Sequence, residues 1–156
     1  MIVDQLMNIK AGKKYDKNGR TALSGEVSER LLSGLKRQLW YSNPFPKSLG
    51  REQFGEDYIK SLIGRAEKMK LGVEDIIATI SELTVLCVEK YLRKFKSANR
   101  LVIAGGGVHN KYFTKRLSEL FPGIEIVGSD ALGVDPDYVE AIGFALLGAM
   151  FIYGDP

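Results

Sequence analysis

The spacing of apolar residues divides the chain into a helical first part and a second part in which strands and helices alternate. In the first part apolar residues recur every three or four positions, which places them on one face of an α-helix. This spacing predicts a helix at the start of the chain, two more at residues 28–39 and 56–69, and a fourth with its apolar face from Ile76 to Tyr91. Residues 41–55 contain two prolines and two glycines and are predicted to form a loop, whose length favours a functional role.

Beyond residue 100 the pattern changes to short apolar runs. Residues 101–104 are continuously apolar, which is typical of a strand covered on both faces. A helix at 110–121 and a second strand at 124–127 follow, and a strand–helix–strand unit makes its two strands parallel. The last helix begins at Asp135 and Pro136 and is apolar nearly all round, so we expect it to be buried. The elements predict an α/β fold, rich in helix, with a small and mainly parallel sheet.

Composition places the chain among soluble globular proteins of one domain, with 156 residues, 45% hydrophobic and 26% charged. We expect a cytoplasmic protein without a membrane partner, because no signal peptide is visible and no apolar run approaches the roughly 20 residues that span a bilayer. Cys87 and His109 are the single cysteine and histidine, which excludes an intramolecular disulfide and a zinc site of the usual Cys/His kind.

The net charge of +3 comes from two groups of basic residues. The first is Lys10, Lys13, Lys14, Lys17 and Arg20, and the second is Lys90, Arg93, Lys94, Lys96 and Arg100. Such groups occur in nucleic-acid-binding proteins, but they also occur as solvated side chains in loops and at helix carboxyl termini. We favour the second interpretation and expect no nucleic-acid partner.

The sequence GGGVHN at residues 105–110 leaves the end of a predicted strand and enters a helix. Ligands of open α/β sheets bind beyond the carboxyl ends of strands, and free amides at a helix start attract anions. The motif is neither a dinucleotide-binding nor a P-loop pattern, so a tight turn without a ligand is an equal alternative. His109 fits a ligand contact or a polar loop residue, and Asn110 fits a helix cap better than a ligand contact.

Glu140 lies in the first turn of the predicted last helix. An acidic residue there stabilises a helix by about 0.3–1 kcal/mol, so a structural role suffices. Because the residues after it are almost wholly apolar, a second interpretation is that its carboxylate holds a sugar hydroxyl or a magnesium-bound water.

Three motifs in order resemble those of bacterial 1,6-anhydro-N-acetylmuramic acid kinases, relatives of levoglucosan kinase. They are KSLGRE at 47–52, GGGVHN at 105–110 and GVDPDYVEA at 133–141. YDKNG at 15–19 and SG at 24–25 also fit, so the resemblance covers nearly the whole chain. It implies a two-lobed actin/hexokinase (ribonuclease H-like) fold with ATP between the lobes. Residues 1–156 would be a single domain equivalent to the carboxyl-terminal lobe, and the amino-terminal lobe would be absent.

The resemblance also implies the site. The nucleotide-binding residues would be Gly105, Gly106, Gly107, His109 and Asn110. Glu140 would face the substrate or the metal, with ATP and Mg²⁺ as cofactors and an anhydrosugar as substrate. A loop approaching the cleft would carry Lys47, Ser48, Arg51 and Glu52, although Leu49 stands where the family has threonine.

The family's phosphate loop and its catalytic aspartate, in an Asp-Thr-Gly-Pro-Gly-Asn stretch, precede the segment that aligns with residues 1–4. The resemblance therefore implies half of a kinase that phosphorylates the sugar while water opens its anhydro ring. Since phosphoryl transfer needs positioning from both sides of the cleft, the half is expected to be inactive without an amino-terminal partner chain. One alternative is a non-catalytic remnant that binds nucleotide or sugar and self-associates as a homodimer; another is an unrelated α/β binding protein.

Overall fold

The computed structural model describes residues 2–42 and 50–154. Its regular elements are α1 (Ile2–Ala11), α2 (Arg20–Ser24), α3 (Glu29–Lys36), α4 (Leu39–Ser42), α5 (Glu56–Lys68), α6 (Val73–Leu92), β1 (Arg100–Ile103), α7 (Lys111–Leu120), β2 (Glu125–Gly128) and α8 (Val139–Tyr153). Single 3₁₀ turns lie at Lys17–Gly19, Arg51–Phe54, Gly105–His109, Ser129–Leu132 and Pro136–Tyr138. The fold is α/β, rich in helix, with a small parallel sheet, as the sequence predicts.

Helix α6 is the centre of the core. Every residue from Ile76 to Leu83 is buried, and α1, α2, α3 and α7 pack around it. The start of α3 is tied to this helix, because Ser28 N donates to Thr79 Oγ1 at 2.9 Å while Ser28 Oγ caps α3. At Gly25 the chain passes so close to α6 that an added Cβ would lie 2.2 Å from the Glu74 carbonyl. Glycine at that position therefore allows α2 and α6 to pack together.

The two strands pair in parallel, which confirms the prediction from the strand–helix–strand pattern. Arg100 lies opposite Glu125, and their side chains form an ion pair at 2.6 Å. Leu101 and Ile103 pack against the core, while Val102 points the other way and remains 38% exposed. The expectation that this strand is covered on both faces is therefore wrong, since only one face of the sheet contacts the described core.

Helix α8 is exposed, which corrects the expectation that it is buried. None of its residues is buried, and Phe144 and Phe151 are 76% and 88% exposed. Its main packing contact is with the turn Pro136–Tyr138 that precedes it. By length and composition the segment Pro136–Tyr153 could cross a membrane. This corrects the expectation that no apolar run approaches the length that spans a bilayer. A single such helix indicates a membrane only weakly, because core helices of soluble proteins pass the same test.

The loop predicted at residues 41–55 is described only at its two ends. Helix α4 ends at Ser42, and the turn Arg51–Phe54 leads into α5. Lys47 and Ser48 lie outside the described residues. The helix predicted at residues 28–39 ends earlier than expected: α3 finishes at Lys36, and α4 is a separate helix.

Candidate functional site

Three parts of the chain converge on a cavity of about 680 Å³ next to the turn Gly105–His109, which we call the glycine turn. They are the start of α1, the turn at residues 15–18 and the turn Gly105–His109, with α6 forming a further wall. The side chains from α1 and α6 are Ile2, Val3, Asp4, Ile80 and Thr84. Gly106, Gly107, His109, Asn110 and Phe113 line the opposite side. A cavity of this size is within the range that holds a nucleotide or a sugar.

Asp16 holds the second of these parts in place. Its carboxylate is buried and accepts hydrogen bonds from the backbone of Thr21 at 2.8 Å and of Ala22 at 3.0 Å. Both oxygens are therefore used to stabilise the start of α2. Next to it Asn18 and Gly19 have φ of 58° and 68°, so the turn has a tight left-handed conformation at two successive residues. Asp16 is a structural carboxylate that shapes the cavity wall.

Gly19 and Asn110 join this turn to the glycine turn. A Cβ at Gly19 would lie 2.2 Å from Asn110 Oδ1, so the contact requires glycine. Asn110 Oδ1 accepts hydrogen bonds from Tyr112 N at 3.0 Å and Phe113 N at 3.4 Å, which confirms its predicted role as the cap of α7. Its Nδ2 makes no hydrogen bond within residues 2–42 and 50–154, so it is a donor available to a ligand at the cavity wall.

The three glycines of the motif differ in what they provide. Gly105 has φ of 68° and makes the sharp turn after β1. At Gly106 an added Cβ would meet nothing within 4 Å, and at Gly107 it would meet only Ile103 Cγ2 at 3.8 Å. Packing within the described chain therefore does not require glycine at Gly106 or Gly107. What glycine preserves there is open access to the backbone from the cavity.

His109 links the glycine turn to the turn before α8. Its Nε2 lies 3.1 Å from Asp137 Oδ1, and both side chains are exposed. Asp135 Oδ1 in turn accepts from Asp137 N at 2.9 Å. A depression of about 500 Å³ separates the two turns. Sequence reasoning proposed a ligand contact or a polar loop residue for His109, and the structure places it on the cavity wall with a carboxylate partner.

The other predicted site residues do not join the cavity. Glu140 is exposed in the first turn of α8 and is not among the described residues that line it. Glu52 is exposed in the turn Arg51–Phe54, also away from the lining. Arg51 belongs to the same turn. Within the described ranges there is no group of three or more His, Cys, Asp or Glu side chains that would hold a metal ion.

A buried charged cluster connects α6 to α7 behind the site, and sequence reasoning missed it. Glu82 accepts hydrogen bonds from Tyr112 Oη at 2.8 Å and from two nitrogens of Arg116 at 2.9 Å. Burial acts to raise the pKa of Glu82, but these hydrogen bonds outweigh it and hold the pKa below its ordinary value. Burial and the Glu82 carboxylate raise the pKa of Tyr112 well above its ordinary value. An acidic residue within the apolar stretch of α6 was the available signal.

Comparison with known proteins gives one consistent result. The family model described as anhydro-N-acetylmuramic acid kinase matches residues 1–156. A protein of that name from Xanthomonas oryzae pv. oryzae (strain MAFF 311018) is 40% identical over 144 residues, which are 92% of this chain and 37% of the relative. Another, from Pseudomonas savastanoi pv. phaseolicola (strain 1448A / Race 6), is 36% identical over 157 residues, which are 100% of this chain and 43% of the relative. The chain thus spans about two fifths of the length of these curated relatives.

Proposed function

Because the chain belongs to the anhydro-N-acetylmuramic acid kinase family, we propose that it is the nucleotide-binding part of an ATP-dependent kinase acting on that anhydrosugar. The domain is equivalent to the carboxyl-terminal lobe of an actin/hexokinase-type fold, and the enzyme works in the cytoplasm, where ATP is supplied. Catalysis belongs to an assembly with a polypeptide that supplies the amino-terminal lobe.

The open backbone at Gly106 and Gly107 is the observation that carries this proposal. These residues follow the carboxyl end of β1, precede the start of α7 and face a cavity of about 680 Å³. Backbone amides at such a position bind phosphate oxygens, and the absence of a side chain lets the phosphates approach closely. Asn110 Nδ2 and His109 supply further polar contacts, and Lys17 adds a positive charge at the cavity wall.

The residues fit ATP better than they fit a separate metal ion. Asp4 and Asp16 line the cavity, but both oxygens of Asp16 already accept backbone hydrogen bonds. Magnesium in kinase sites is held mainly by phosphates and waters with one or two carboxylates, so Mg²⁺ fits as part of the nucleotide complex. When bound, Mg²⁺ neutralises charge on the phosphates. The role predicted for Glu140, facing substrate or metal, stays a prediction.

The chain's own contribution to the reaction is positioning. Phosphoryl transfer depends on holding the phosphates in line with the acceptor and on neutralising their charge from both sides of a cleft. The glycine turn holds one side. By the family resemblance, the aspartate that activates the attacking water and a second phosphate loop belong to the amino-terminal lobe, so this chain alone is proposed to be inactive.

The apolar surface of α8 supports a covering polypeptide. Phe144, Leu147 and Phe151 are each more than half exposed, and burying one such side chain stabilises a complex by about 1.5–3 kcal/mol. Contiguous exposed apolar side chains mark interaction sites. Since the chain spans about two fifths of its relatives, the remaining family sequence is the partner we propose for this surface. A homodimer formed through α8 would instead favour the self-associating remnant.

The test combines ligand binding with complementation. ATP with Mg²⁺ should raise the stability of the chain saturably, by about 2.7 kcal/mol at a hundred times the dissociation constant. Gly106→Val should abolish the effect by blocking the phosphates. Gly123→Val is the matched control, because a Cβ there also meets nothing within 4 Å and Gly123 lies outside the cavity.

Kinase activity on anhydro-N-acetylmuramic acid should appear only after the unmatched part of the Xanthomonas oryzae relative is added as a separate chain. No stabilisation by ATP, alone or in the mixture, would refute the nucleotide-binding proposal. Stabilisation by ATP without activity in the mixture, together with a dimer in sedimentation velocity, would favour the remnant.

A further inference from the structure

A second pocket lies on the far side of the turn at residues 15–18, with a volume of about 430 Å³. Four cationic side chains line it: Lys13, Lys14, Lys17 and Arg20. We propose that this pocket binds a small polyanion, a compound carrying two or more linked phosphate groups. The pocket shares the wall formed by Tyr15, Asp16 and Lys17 with the main cavity, but no residue of the turn Gly105–His109 lines it.

The four cations have no counter-ions in the described part of the chain. All four are exposed, and none of them takes part in an ion pair or side-chain hydrogen bond within residues 2–42 and 50–154. Lys10, nearby in sequence, differs because it pairs with Glu67 at 2.9 Å. A depression lined by charges of one sign concentrates its field and attracts ions of opposite sign. Like charges also repel one another, and a bound anion removes that repulsion.

The backbone around the pocket is held in one conformation. The buried Asp16 carboxylate is held by two backbone amides, and it leaves the pocket with a net positive charge. Gly12, Asn18 and Gly19 have positive φ, and Gly19 is locked against Asn110. Because the backbone that carries the cations is fixed, anion binding has to order only their side chains.

The distribution of the other basic residues favours a compact anion over a nucleic acid. In the second basic group of the sequence, Arg93 pairs with Glu89 and Arg100 pairs with Glu125. Lys90 donates to the Tyr41 carbonyl at 2.8 Å. Nucleic-acid binding needs an extended positive stripe along the backbone, whereas Lys13, Lys14, Lys17 and Arg20 lie around one depression. Lysine ammonium groups bind phosphate as point charges, which suits a cluster of this kind.

The test is a titration of the ¹⁵N-labelled full chain with sodium tripolyphosphate at low salt, followed by amide NMR signals. Signals of Lys14, Lys17 and Arg20 should shift saturably, whether or not those of Gly106 and Gly107 also shift. A parallel titration with citrate separates phosphate recognition from a general preference for anions, since citrate has a similar charge on carboxylates.

Matched variants give the quantitative result. A quadruple variant should weaken tripolyphosphate binding about tenfold or more; it combines Lys13→Gln, Lys14→Gln, Lys17→Gln and Arg20→Gln. All four cations are changed together because a single exposed ion pair contributes less than a tenfold change in affinity. The control changes four exposed lysines elsewhere, Lys36→Gln, Lys68→Gln, Lys70→Gln and Lys96→Gln, and should leave the affinity within about twofold. Should the first variant fail to fold, the single changes Lys14→Gln and Arg20→Gln replace it, each with a smaller loss.

Three results would overturn the proposal. The first is a set of shifts confined to the glycine turn, which would place the anion in the main cavity. The second is an equal loss of affinity in both quadruple variants, which would show an effect of net charge alone. The third is citrate binding as tightly as tripolyphosphate, which would refute the assignment to phosphate.

Discussion

Removing the arginine of the buried cluster should destabilise the protein in a pH-dependent way. In Arg116→Ala, Glu82 loses both hydrogen bonds from the guanidinium and keeps only that from Tyr112. Charge-assisted hydrogen bonds contribute about 1.5–3 kcal/mol each, and breaking a buried pair costs about 3–5 kcal/mol. Because the Arg116 side chain is 30% exposed, part of its interaction is screened by water. We therefore expect the free energy of unfolding to fall by about 2–4 kcal/mol at pH 7.

The sign of the pH dependence follows from the two pKa directions. In the native protein the pKa of Glu82 is lowered, so its ion pair stabilises above the unfolded pKa and this contribution is lost as the pH falls through the folded pKa. In the variant, burial without the guanidinium should raise the pKa of Glu82, so acid relieves the buried charge. The difference between the two proteins should therefore be largest near neutral pH and shrink in acid.

Urea unfolding followed by circular dichroism at neutral and acidic pH measures this difference. Lys115→Ala is the control on the same helix, because its ion pair with Glu119 is long, at 3.9 Å, and exposed. It should change the free energy of unfolding by no more than about 0.5 kcal/mol. A loss for Arg116→Ala that is equally large at both pH values, or no larger than the control, would refute the reasoning.

Four further substitutions test the fold. Gly19→Ala should lower the free energy of thermal unfolding by more than about 1 kcal/mol, because φ at Gly19 is 68° and an added Cβ would meet Asn110. Gly34→Ala inside α3 should instead stabilise the protein by up to about 1 kcal/mol, because an added Cβ has open space there. Equal effects of the two substitutions would contradict this geometry. Ser28→Ala should cost about 1 kcal/mol by removing the cap of α3, and an unchanged melting temperature would argue against it. Phe151→Glu on α8 should leave stability within about 0.5 kcal/mol while reducing any self-association in sedimentation velocity, and a clear loss of stability would show that the residue is buried.

Local signals in the sequence determined the type and order of the longer elements, although not all of their ends. The three-to-four spacing located four helices in the first part of the chain, and Asn110 caps α7 as predicted from its residue type. The two apolar runs joined by a helix specified a parallel pair of strands, because that connection has one favoured hand. The glycine run after β1 likewise predicted a turn at a strand end. All of these were read from patterns within short stretches of the chain.

Only the tertiary structure decided which distant side chains meet and which surfaces stay open. Tyr112 and Arg116 lie 30 and 34 positions from Glu82, so their cluster depends on how α7 packs against α6. The contact between Gly19 and Asn110 likewise needs two turns brought together by that packing. Helix α8 shows what periodicity cannot decide. In aqueous solution an apolar helix has to be covered by other apolar surface, but its composition does not say whether its own chain or a partner provides that surface. Burial depends on the packing of whole layers, which local spacing does not encode.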